Sequence, residues 1–164
     1  MLLQQCKTTF IIIMSQTTSY SSLISKIYRS RNVILEILSK KRGFDVSDYS
    51  GFSINDIYTM YTNKQLDMVF EHPKTEQRLY IKYHLAKNVK ENHIYELIDD
   101  LYEIEQILEE EDDDLIIISK HSISQSLKSV LEQIYINDKK FVNVYNVNDY
   151  LFNILEHEIV PEHT

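Results

Sequence analysis

The stretch "LIIISKHSISQSLKSVLEQIYINDKKFVNVY", Leu115 to Tyr145, decides the fold class. It opens on a continuous apolar run, Leu115 to Ser119, the pattern of a strand buried on both faces. It closes on "KFVNVY", Lys140 to Tyr145, a second strand rich in β-branched and aromatic residues. Between them Leu127, Val130, Leu131 and Ile134 recur at helical spacing, which predicts a helix from about Ser124 to Ile136. Strand, helix, strand in that order implies a parallel crossover, because parallel strands need a connection long enough to return along the sheet.

Outward toward the N-terminus, Leu66, Met68 and Phe70 alternate with Asp67 and Val69, and Leu79, Ile81, Tyr83 and Leu85 alternate with Arg78, Tyr80, Lys82 and His84. With the polar stretch His72 to Gln77 between them, these two runs predict a β-hairpin. From Ser19 to Gly43 the residues Ile24, Ile27, Tyr28, Ile34, Leu35 and Leu38 mark a first helix that ends at a glycine suited to a C-terminal cap. Ser53-Ile54-Asn55-Asp56 resembles a capping arrangement and predicts a short second helix carrying Ile57, Met60 and Tyr61 on one face.

Ile94, Leu97, Ile98, Leu101, Ile104 and Leu108 predict a helix of about four to five turns. The run "EEEDDD", Glu109 to Asp114, closes it and reads as a solvated connection; it lacks the spaced ligands and glycine of a calcium loop. Asn148 or Asp149 is placed to cap a final short helix through Leu155. The expected fold class is α/β, a mixed sheet of about four strands flanked by helices.

The 164 residues suit one domain, and hydrophobic residues at 43% with charged residues at 26% predict a chain that folds. A net charge of -8 argues against a freestanding nucleic-acid binder, whose affinity comes mainly from cations on phosphate. One cysteine, Cys6, excludes an internal disulfide framework and a thiolate zinc site, and fits a reducing, intracellular setting. The longest apolar run, Phe10 to Met14, is far short of the ~20 residues of a membrane span.

Candidate chemistry is thin. His157-Glu158-Ile159-Val160-Pro161 approaches the zinc-protease pattern, but the second histidine position holds Pro161, which cannot ligate a metal. Asp67 and Lys82 sit where restriction-endonuclease-like nucleases place an acid on one strand and a lysine on the next; the second acid, two residues before the lysine, is replaced by Tyr80. No hydrolysis is therefore expected, and Asp67 and Lys82 read as outward-facing polar positions of the hairpin. Two glycines, Gly43 and Gly51, cannot build a phosphate loop, and Ser122 and Ser124 read as helix caps. No metal and no cofactor are expected.

The ending "LFNILEHEIVPEHT" resembles the junction segment of the fifth subunit of eukaryotic nuclear RNA polymerases, where a jaw domain passes into an assembly domain. Asn153, Ile154, Glu156, His157, Glu158, Val160, Pro161 and His163 match that segment; Leu155 and Ile159 differ. "RNVILEILSKKRGFDVS" resembles the family's first helix and its arginine-glycine-aromatic turn at Arg42, Gly43 and Phe44. "LDMVFEH" resembles the first jaw strand, and "DLIIISKHSISQSLKSVLE" the strand and following helix, with the usual proline missing from the entry Ser122 to Lys128.

The resemblance covers about Ser22 to His163 and implies an extension at residues 1–18, a jaw domain at 19–152, and only the first turn of the assembly domain at 153–164. It implies a restriction-endonuclease-like fold without the active site, in a non-catalytic subunit forming the lower jaw beside downstream duplex DNA. Glu156, His157, Glu158, Val160, Pro161 and His163 would meet the largest polymerase subunit. Lys40, Lys41 and Arg42, with Arg29 and Arg31 second, are the DNA-side candidates. The alternative is an inactive nuclease-fold DNA-binding protein acting outside a polymerase. Heavy use of Ile, Asn, Lys and Tyr fits an AT-rich genome, a large DNA virus or a protist, and hence the nucleus, or virion and host cytoplasm.

Overall fold

The computed structural model describes residues 2–109 and 111–150, with side chains from residue 22 onward. Its centre is one four-stranded sheet in the order β1-β2-β3-β4: Met68–Glu71, Arg78–His84, Asp114–Ser119 and Phe141–Asn146. β1 and β2 are the predicted antiparallel hairpin, with Met68 opposite Ile81 and Phe70 opposite Leu79. β2 to β3 and β3 to β4 are parallel, so the sheet is mixed and the α/β class read from Leu115 to Tyr145 is the observed one.

The alternation of side chains divides the core between the two faces of the sheet. Met68, Phe70, Leu79, Ile81, Tyr83 and Ile118 bury against α1 (Leu2–Arg42) on one face. Leu115, Ile117, Val142 and Val144 bury on the other, under α3 (Glu91–Ile98) and α4 (Gln125–Asp138). β3 feeds both clusters, and this two-sided burial is why its sequence is almost uninterrupted Leu and Ile.

α1 begins well before the predicted Ser19, at Leu2, and ends as expected before Gly43. Gly43 takes φ +71, a backbone region costly for any residue with a Cβ, and an added Cβ would stand 3.2 Å from His72 Nε2. This turn lets the Phe44 N–H donate to Leu38 O at 3.0 Å and drops the Phe44 ring edge-on to Phe70 and His72. α2 (Ile54–Thr62) starts on the predicted capping box, in which Asp56 N–H donates to Ser53 Oγ at 3.2 Å and Ser53 N–H to Asp56 Oδ2 at 2.8 Å. The predicted Ser124 cap also forms, accepting from Leu127 N–H at 3.2 Å.

The third helix departs from expectation. After Ile98 it widens into a π-helical run, Asp99–Ile104, and the chain leaves the helix before Leu108. Acidic residues Glu103 and Glu105 crowd a helix C-terminus, where the macrodipole disfavours negative charge. Gln106 then takes φ 53, and the N–H groups of Ile107 and Leu108 both return to Leu101 O, at 2.8 and 3.1 Å. Leu108 is buried all the same, folded back into the cluster by this turn.

The acidic run is only partly the solvated connection expected of it. Glu111 and Asp112 are exposed, but Asp113 is 4% exposed. Its Oδ1 accepts from Arg78 N–H at 2.7 Å and its Oδ2 from Glu109 N–H at 2.8 Å. Arg78 opens β2 one residue before the ladder to β3 begins at Leu79, so its amide lacks a strand partner and takes the carboxylate instead. After β4 the chain forms a short 3-10 turn, Val147–Tyr150, tied back by Asp149 Oδ2 accepting from Asn146 N–H at 2.9 Å; the rest of the final helix expected there lies outside the described residues.

Candidate functional site

At the other end of β2 a second aspartate does for Tyr83 what Asp113 does for Arg78. β1 pairs with β2 only from Met68 onward, so the Tyr83 N–H lies past the ladder, and Asp67 Oδ1 accepts it at 3.0 Å. The remaining oxygen, Oδ2, takes Lys82 Nζ at 2.9 Å and the Tyr80 hydroxyl at 3.2 Å. The three residues singled out by the nuclease comparison are therefore brought together, as a hydrogen-bonded cluster rather than as independent outward-facing positions.

Burial, and then the Asp67 carboxylate it donates to, hold the Tyr80 phenol well above the ordinary tyrosine range. Tyr80 stays a neutral donor. The one carboxylate of the cluster is engaged by three donors of its own chain, while a hard divalent cation demands several oxygen ligands at once. Among the described residues no group of three or more His, Cys, Asp or Glu converges as a metal site.

Asp67 and Lys82 of this cluster line a cleft of about 550 Å³ at the end of the hairpin. The facing wall is the last turns of α2, with Tyr58 and Tyr61 one helical turn apart, followed by Lys64. Tyr58 is 52% exposed. Lys64 leaves the helix at φ 56, and no ion pair to it is formed among the described residues. His84 completes the floor, its ring 4.9 Å from that of His93, whose Nδ1 accepts from Lys90 N–H at 3.0 Å. Burial, then the neighbouring His93 and Lys82, lower the His84 pKa, so its imidazole is neutral at pH 7.

Beneath the cleft, Tyr83 turns inward. Its hydroxyl shares a hydrogen bond with Ser30 Oγ at 3.4 Å, and burial pushes its phenol up to about 12. Beside it lies Arg31, expected on the DNA side and instead 1% exposed. Its Nη1 donates to Leu66 O at 2.7 Å, and its guanidinium lies 5.8 Å from the Tyr49 ring and 5.9 Å from that of Phe52. Nε and Nη2 find no hydrogen-bond partner among the described residues, and burial lowers its pKa. The sequence carried the signal for this correction: Arg31 falls four residues after Ile27 and four before Leu35, in phase with the apolar stripe of α1.

The other basic candidates remain at the surface. Arg29, Lys40, Lys41 and Arg42 are exposed on α1. Lys40 pairs with Glu36 at 2.6 Å, and Arg42 pairs with Asp114 at 3.1 Å while lying over the Phe44 ring. The α1 C-terminus is thus partly neutralised, and Arg42 is a strut between α1 and β3. Glu156, His157, Glu158, Val160, Pro161 and His163, the residues expected to meet a large polymerase subunit, lie outside the described residues. Sequence reasoning did not find the cleft, because Tyr58, Tyr61 and Lys64 reach the hairpin only through tertiary packing. Compared with known proteins, the chain matches no family model and no curated protein.

Proposed function

We propose that the chain is a non-catalytic subunit of a multisubunit DNA-directed RNA polymerase, a lower-jaw element beside downstream duplex DNA. The observation that carries this reading is the segment Asn153 to His163, with its match at Glu156-His157-Glu158 and Val160-Pro161 to the polymerase-subunit junction. The way Asp67 is used supports the non-catalytic part: its oxygens are taken up in closing β2 and in holding Tyr80 and Lys82. The role is positional, with nucleotide addition left to the large subunits. A net charge of -8 is compatible with it, because the assembly supplies the affinity for DNA and this chain adds backbone contacts from Arg29, Lys40 and Lys41.

A second reading, an inactive nuclease-fold DNA-binding protein outside a polymerase, is favoured by one observation, the pairing of Asp67, just before β1, with Lys82 on β2. The two are separated by affinity capture of the tagged chain from its own host. Recovery of the two largest polymerase subunits supports the first reading, and capture without them overturns it.

A further inference from the structure

The cleft between α2 and the end of the hairpin combines cations with aromatic rings. Two ammonium groups, Lys64 and Lys82, border it against a single carboxylate, Asp67, in a molecule of net charge -8. Lys87 lies close enough to lower the His84 pKa further, a third ammonium near the cleft. Asp67 occupies Lys82 through only one contact, at 2.9 Å, and an ammonium carries three donors. Lys64 is exposed and forms no ion pair among the described residues.

The second half of the chemistry is aromatic. Tyr58 and Tyr61 rise side by side from one face of α2, and Tyr58 presents about half of its surface to solvent. A flat ring next to fixed cations is the combination by which proteins hold a nucleobase and its phosphate without reading sequence: the base stacks on the ring and the ammonium groups neutralise the phosphate. A volume of about 550 Å³ is that of a pocket for a ligand of nucleotide size.

We infer that this cleft binds a nucleoside phosphate, with the base stacked on Tyr58 and the phosphate held by Lys64 and Lys82. The ligand is a free nucleotide or one nucleotide of a single strand, since both offer the same base and phosphate. The inference goes beyond the polymerase reading and stands whether or not the chain is a subunit, because it concerns the isolated protein.

The test uses the purified full chain, a fluorescein-labelled thymidine hexanucleotide read by fluorescence anisotropy at low salt, and thymidine monophosphate as competitor. Saturable binding is expected, weakened about tenfold or more by Lys64→Glu and by Tyr58→Ala and little changed by Lys74→Glu, a lysine in the hairpin loop at the opposite end of β1. Tyr58 and Lys64 are surface residues, and far-ultraviolet circular dichroism verifies that the variants are folded. Competition by the monophosphate identifies a free nucleotide as ligand, and binding of the hexanucleotide alone identifies a single strand; both support the inference. It is overturned if the hexanucleotide does not bind, if the two cleft variants bind like the parent chain, or if a hexaglutamate peptide competes as well as the nucleotide.

Discussion

Asp67 Oδ1 accepts the Tyr83 N–H at 3.0 Å while its Oδ2 holds Lys82 Nζ at 2.9 Å, so one side chain both closes the end of β2 and fixes the cation beside it. Replacing Asp67 by Ala leaves a strand-end amide and a half-buried ammonium without their acceptor, and is expected to cost about 1–3 kcal/mol in urea unfolding. Asp67→Asn keeps an oxygen for Tyr83 and is expected to cost less. Equal losses for the two would mean that the Tyr83 hydrogen bond contributes nothing beyond the carboxylate charge.

Asp113 is the counterpart at the start of β2 and is more deeply buried. Asp113→Ala leaves the Arg78 and Glu109 N–H groups without their acceptor and is expected to destabilise by about 2–4 kcal/mol, against less than about 0.5 kcal/mol for Asp112→Ala one residue earlier. Chemical denaturation of the two variants side by side measures the contrast.

How much of this was legible follows from how local each signal is. The crossover was readable in Leu115 to Tyr145 because burial on both faces leaves a continuous apolar strand, and the cap at Ser53 because its partner Asp56 is three residues away. Asp113 was not readable: inside a run of like charges, its capture by Arg78 depends on which amide the β2–β3 register leaves unpaired. The pairing of Asp67 with Lys82 and Tyr80 is equally a consequence of register, and the cleft depends on where α2 packs. For Arg31 the helical phase pointed inward while its charge pointed outward, and phase prevailed.

Arg31 offers a further test of that conclusion. Its guanidinium is buried with one hydrogen bond to Leu66 O and no carboxylate within ion-pair distance among the described residues. Arg31→Met, which keeps the length of the side chain and removes the buried charge, is expected to stay within about 1 kcal/mol of the parent chain. Arg31→Ala, which leaves a cavity, is expected to lose about 2–4 kcal/mol. Thermal or urea unfolding separates the two; a methionine variant as unstable as the alanine one would show that the charge itself is needed.

His84 gives the pH dependence a sign. Its pKa is lowered from 6.5 in the folded chain by burial and by His93, Lys82 and Lys87, so the unfolded chain binds its proton more tightly. Stability from this group is fully present above pH 6.5 and is lost as pH falls below that value toward the folded pKa. Urea midpoints measured from pH 7.5 to pH 5 are expected to fall more steeply for the parent chain than for His84→Gln. Parallel slopes would remove His84 from the account.

The central claim, membership in a polymerase, is tested most directly by expressing the full chain with an affinity tag in its own host and quantifying what is captured. The account predicts recovery of the two largest RNA polymerase subunits at comparable molar amounts, and a sharp drop in both when His157, Glu158 and Pro161 are replaced together by alanine. Capture of the chain in good yield without either large subunit would contradict it.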